Sequence, residues 1–221
     1  MRFSRFAASI VVALGMVAVV AAQQAPAGGG QRGGGGGQRG GGGQRGGGPA
    51  AAAPAAAAAP MRLMSNAFID GGLIPAKYTQ AGDQVSPQLA WANAPAGTQS
   101  LVLHMHDMEG ARNKTTEDQL HWFVWNIPAE TRGLPEGVPK GYLKDGSHQT
   151  SANGDGTYRG PGAPANGPYH HYVFEVFALD TKIDVAANPM DPFDTRTKVM
   201  SAMQGHVLGK AVYLGFFHRP E

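Results

Sequence analysis

The chain has 221 residues, no cysteine and a formal net charge of +2. That charge is unevenly spread: five of the 18 basic residues (Arg2, Arg5, Arg32, Arg39 and Arg45) precede residue 61, while all 16 acidic residues lie at or after Asp70, so residues 61–221 carry a net charge of −3. A mildly acidic domain lacks the clustered basic face of a nucleic-acid binder, and a chain without cysteine has neither a disulfide framework nor a lipidated-cysteine anchor.

Residues 1–22 read as a signal peptide. Arg2 and Arg5 form a positive start, Ala7 to Val20 is apolar, and small residues at Ala21 and Ala22 precede Gln23. The apolar run is shorter than the ~20 residues a spanning helix needs, which favours cleavage over retention as an anchor. The expected location is therefore exported, periplasmic or secreted, with no integral membrane span after the signal is removed. Residues 23–60 are a low-complexity linker in which Gln-Arg-Gly recurs at Gln31, Gln38 and Gln44 between glycine runs, followed by an Ala/Pro stretch. Nothing there can bury enough apolar area to offset ordering entropy, so a disordered spacer is expected.

Residues 61–221 suffice for one domain with its own core. Weak strand candidates fall near Met64 to Phe68 and at Leu89 to Ala92. Stronger ones run from Leu101 to His106, His121 to Ile127, Tyr172 to Leu179 and Lys210 to Phe217. They are rich in aromatic and β-branched residues and are bounded by Gly, Pro and Asn. One helix is predicted near 194–208, N-capped by Asp194 and stopped by Gly209, with Val199, Ala202, Met203 and His206 at helical spacing. The fold class is thus mostly β, with two packed antiparallel sheets and a few peripheral helices.

The chemistry gathers at strand ends. Alternation puts His170 and Tyr172 on one face and His171 on the other; it likewise groups His121 with Phe123 and Trp125, and His104 with His106. Asp107 follows at the end of its strand. If these ends converge, Asp107, His121, His170 and Tyr172 form one polar pocket, and Gly160 and Gly162 allow close backbone approach. Imidazoles, a phenol and backbone amides are an inventory for a phosphoryl or carboxylate group. A metal is the alternative, because an H-x-H pair on one strand face can chelate, although no helical metalloprotease spacing occurs. Hydrolysis of an ester or phosphoester is another: acid–base groups are present, but Ser147 and Ser151 lack a nucleophile-elbow motif.

Five ordered segments carry a family resemblance: M-R-L-M-S-N-A-F-I-D-G-G-L-I-P-A-K-Y from Met61, S-P-Q-L-A-W-A-N-A-P-A-G-T-Q-S from Ser86, H-W-F-V-W-N-I-P from His121, Y-R-G-P-G-A-P-A-N-G-P-Y-H-H-Y from Tyr158, and G-H-V-L-G-K-A from Gly205. The chain resembles the phosphatidylethanolamine-binding proteins, also called Raf kinase inhibitor-like proteins, of the bacterial YbhB/YbcL type. The resemblance implies two antiparallel sheets and a small anion-binding cavity. It carries His121, Gly162, His170 and Tyr172 into the site, with Asp107 and Glu109 at the two acidic positions of the family's Asp-Pro-Asp-x-Pro segment. Met108 and Ala111 stand where that segment has prolines, so a freer loop is expected there. The expected function is an exported binding module for a small anionic or phosphorylated ligand, such as a phospholipid headgroup, or one that modulates a protein partner. It is read as a non-enzyme without cofactor or resident metal.

Overall fold

Alternating apolar residues build nine strands in the computed structural model, which describes residues 58–140 and 146–221. The expected leader, and the linker up to residue 57, lie outside the described residues. In chain order the elements are β1 (Arg62–Met64), β2 (Gly72–Leu73), β3 (Leu89–Ala92), β4 (Ser100–Asp107), β5 (Gln119–Pro128), β6 (Gly133–Leu134), β7 (His148–Thr150), β8 (His170–Leu179), α1 (Pro192–Ala202) and β9 (Val207–Phe217). A small sheet has the order β1-β3-β6, and a larger one β2-β9-β8-β4-β5-β7. All pairings are antiparallel except the two-residue edge strand β2, which runs parallel to β9.

The two sheets close on one core. Leu63, Leu89, Trp91 and Leu134 of the small sheet meet Leu103, Met105, Trp122, Phe174 and Tyr213 of the large one, all buried. The opposite face of the large sheet packs under α1, where Val102, Phe123, Trp125, Phe177, Phe193 and Val199 form a second core. No helix among the described residues is long and apolar enough to cross a membrane.

Three local expectations are corrected. The helix begins and ends earlier than 194–208. Asp191 is its N-cap, accepting from the Asp194 amide at 2.9 Å, with Pro192 in the first turn, where its missing N–H costs nothing. Gly205, at φ +81°, breaks the chain after the helix; Gly209 instead lies inside β9, where a Cβ would sit 2.8 Å from Pro95 Cγ. The third correction positions the site. Along β5, Trp122 pairs with Met105 but Leu120 pairs with His106, which leaves His121 as an extra residue in a β-bulge. The bulge breaks the alternation that groups His121 with Phe123 and Trp125. Those two rings face α1, whereas His121 turns to the inter-sheet side, its ring 5.1 Å from that of Tyr172.

Candidate functional site

A cavity of about 220 Å³ opens where β4, β5 and β8 end against the Gly/Pro-rich loop before β8. Asp107, His121 and His170 line it together with Gln80, Gln119 and Arg159, and Gly162, Ala163 and Pro164 close the wall. Two larger hollows, about 600 Å³ beside Pro60 and Leu208 and about 520 Å³ beside Phe68 and Tyr213, gather no imidazoles.

Each side chain is fixed from behind. His170 Nδ1 stands 2.8 Å from Asp107 Oδ2, so the carboxylate sets the imidazole's tautomer and orientation. His121 Nδ1 donates to the Arg159 carbonyl at 2.9 Å, and the Arg159 amide donates to the His121 carbonyl at 3.1 Å. Burial pulls the His121 pKa down to about 4, and the Arg159 cation pulls the same way. At neutral pH this ring is therefore uncharged, with Nδ1 protonated and Nε2 left as an acceptor. Tyr172 is fully buried, and its hydroxyl accepts from the Gly162 and Ala163 amides at 3.1 and 3.0 Å. Burial, and then the Asp107 carboxylate, hold that phenol well above the usual range.

The loop has no secondary structure, yet its polar groups are paired. The Gln80 amide donates to Pro161 O and the Gln80 side chain to Gly160 O, both at 2.8 Å; Arg219 donates to Gly162 O at 2.8 Å. Tyr158 reaches Tyr78 O at 2.7 Å. The two glycines serve this docking differently. A Cβ on Gly160 would lie 2.6 Å from Tyr78 O and 2.9 Å from Thr79 Cα, which are fixed backbone, whereas one on Gly162 would meet only the end of the Gln80 side chain at 2.4 Å. Gly160→Ala is expected to destabilise the domain by roughly 1–3 kcal/mol, an overpacking cost. Gly162→Ala should cost less, roughly 1 kcal/mol, because the flexible Gln80 side chain can shift aside with its two hydrogen bonds, to Gly160 O and from Arg219, only partly disturbed. Urea unfolding of the two variants checks this order.

Asp107, His121 and His170 meet around one space, with Tyr172 packed behind it against His121. Tyr172 and the Gly162 amide bind each other, so they brace the wall instead of facing the cavity. Glu109 lies outside it: the turn after Asp107 sends its carboxylate to His171, whose amide donates at 2.7 Å and whose Nδ1 lies at 2.5 Å. A freer loop was expected without the two prolines; hydrogen bonds shape it instead, with Asp107 Oδ1 accepting from the Glu109 amide at 3.0 Å. Arg159 was missed. It is half-buried, and no carboxylate among the described residues pairs with it. The signal was available, because it is the only Lys or Arg between residues 145 and 181 of a net-acidic domain.

Comparison with known proteins agrees with this architecture. A family model described as phosphatidylethanolamine-binding protein matches residues 64–218. A UPF0098 protein of Methanothermobacter thermautotrophicus is 40% identical over 162 residues, covering 72% of this chain and 99% of its own length. The UPF0098 protein YbhB of Escherichia coli is 39% identical over 133 residues, covering 57% of this chain and 82% of its own. Among solved structures, the phosphatidylethanolamine-binding protein homolog CT736 of Chlamydia trachomatis superposes with a TM-score of 0.61 at 28% identity, covering 72% of this chain and 98% of its own. YbcL of E. coli shares the fold, with a TM-score of 0.61 at 24% identity over 73% of this chain and 99% of its own. The chain belongs to the phosphatidylethanolamine-binding protein family.

Proposed function

We propose that the domain is a binding module for one small anionic group, phosphoryl or carboxylate, and that the leader and linker make it an exported, tethered one. The supporting observation is the charge layout: Arg159, whose guanidinium pairs with no carboxylate among the described residues, and the imidazoles of His121 and His170 line a single space of about 220 Å³. An arginine fork suits anion oxygens. Among the described residues, none lining it is a Ser, Thr or Cys, which favours binding over nucleophilic hydrolysis by such a side chain. A small cavity engages few ligand atoms, so affinity is modest unless further contacts form outside it.

The reading has a proton signature. His121 is neutral around pH 7, with a pKa of about 4 against an ordinary value near 6.5. An anion on Nε2 requires a proton there, so binding takes one up. Affinity should rise as pH falls from 8 to 5, by at most roughly tenfold per pH unit, and level off near pH 4. The shift also acts on the empty protein: the unfolded chain binds the proton first, so stability falls as pH drops from about 6.5 toward 4. Calorimetric titration with sulfate, which does not itself titrate in this range, in two buffers of different ionisation enthalpy tests the point. A pH-independent affinity without proton uptake would overturn the assigned role of His121.

A further inference from the structure

The residues that follow β9 are bound to the wall of the anion cavity. Phe217, the last residue of β9, is the register partner of His170. Beyond it, the Arg219 amide donates to Ala163 O at 3.0 Å, and Arg219 Nη1 donates to Gly162 O at 2.8 Å. Its Nη2 reaches Gln80 Oε1 at 3.3 Å. His218 sits beside the same loop, with Nδ1 3.3 Å from Ala165 O and its ring edge-on to that of Tyr169, the centroids 4.0 Å apart. The segment thus ties the Gly/Pro-rich loop to Gln80.

The Gly162–Ala163 step is held from two sides. Both of its amides donate to the Tyr172 hydroxyl, at 3.1 and 3.0 Å, and both of its carbonyls accept from Arg219. This stretch belongs to no strand ladder, and such segments open locally at small free-energy cost unless something tethers them. The tether is chemically particular. A guanidinium holds its N–H donors in one rigid plane, so a single side chain bridges acceptors on two separate segments, Gly162 and Gln80. Those two residues line the cavity, and Arg219 reaches them from behind the lining.

We propose that Arg219 is a positioning residue of the anion cavity: it straps the Gly162–Ala163 wall and Gln80 in place, and docking of that strap is coupled to anion binding. This rests on the anion-binding reading of the cavity and adds a means of control to it. Coupling is reciprocal, so whatever lifts His218 and Arg219 off the loop weakens the anion, and a bound anion holds the segment down. Arg219 does so without touching the ligand, by fixing the shape of the space in which Arg159, His121 and His170 stand.

The test uses the full-length chain, with sulfate calorimetry and hydrogen exchange followed at the Gly162 and Ala163 amides. In Arg219→Gln, exchange at these two amides should quicken roughly tenfold or more, the loss of hydrogen bonds from a charged group, while the mid-sheet amides of β8 hold their rates. Sulfate affinity should fall roughly fivefold, the low end of coupling between sites. Arg219→Lys, a point charge without the fork, should recover part of both. Sulfate should in turn slow exchange at Gly162 and Ala163 in the unaltered chain. Sulfate binding that Arg219→Gln leaves intact, or exchange that rises equally along β8, overturns the strap alone. Absence of sulfate binding in the unaltered chain overturns the anion reading and the coupling with it. Should Arg219→Gln fail to fold, the unaltered chain decides: bound sulfate that leaves the two amides exchanging as before overturns the proposal.

Discussion

Replacing Arg159 by Gln is expected to weaken sulfate or phosphate binding roughly ten- to a hundredfold, the loss of one charge-assisted hydrogen bond. Among the described residues, Arg159 is the one Lys or Arg lining the cavity, which it shares with the hydrogen-bonded Asp107–His170 pair. Its loss leaves the two imidazoles, of which His121 is neutral until it takes up a proton. The fold should not suffer, because the hydrogen bonds that fix this residue in place run through its backbone to His121. Stability is therefore expected to stay within about 0.5 kcal/mol of the parent, as for surface substitutions generally. Arg159→Lys separates charge from shape: a point charge without the planar fork should recover part of the affinity. Calorimetric titration of the three proteins at one pH and ionic strength reads this directly. Equal affinities in all three would mean that the anion sits elsewhere or that the cavity takes no anion.

The second large effect is on stability. Trp122→Ala is expected to cost about 3–5 kcal/mol, the range for truncating a large buried aromatic ring. Trp122 is fully buried between the sheets. Its Nε1 donates to Gln149 of β7 at 3.1 Å, and its ring stands edge-on to Tyr158 at 5.6 Å. Because Tyr158 anchors the cavity loop to Tyr78, the cost reaches the site as well as the core. Against a typical total of roughly 5–15 kcal/mol, the variant keeps little margin. Trp122→Phe retains most of the packing and should lose far less. In urea unfolding the midpoints should move in that order with the slope unchanged. A shift of under 1 kcal/mol for the alanine variant would show that the inter-sheet core collapses around the gap.

Much of the fold was legible because strands announce themselves by composition. β3 falls at Leu89–Ala92, where it is expected, and the four long strands appear with ends displaced by at most three residues. The residues at those ends meet around the cavity because β4, β5 and β8 are neighbours in one sheet, which period-two alternation alone does not reveal. What stayed hidden had particular causes. A bulge has no reliable sequence mark, so alternation placed His121 on the wrong face. Asp191 and Asp194 both suit a helix cap, and only backbone geometry separates them. Glu109 was assigned to the cavity by alignment with an acidic position, yet the turn after Asp107 directs it to His171. Arg159 was passed over because its neighbours Gly160 and Gly162 drew attention to the backbone, when the side chain beside them carries the charge.

The strand order has a consequence for how the molecule comes into being. β4 is flanked by β5, made soon after it, and by β8, whose His170 is separated from Asp107 by 63 positions along the chain. During synthesis β4 therefore waits with one row of amides and carbonyls unclaimed while the intervening loops emerge. Such a late, long-range insertion slows folding and leaves a sticky edge open to other nascent chains. β8 closes that edge and delivers His170 in the same motion, so the Asp107–His170 pair forms only once this long-range docking is made, before β9 completes the sheet on the far side of β8.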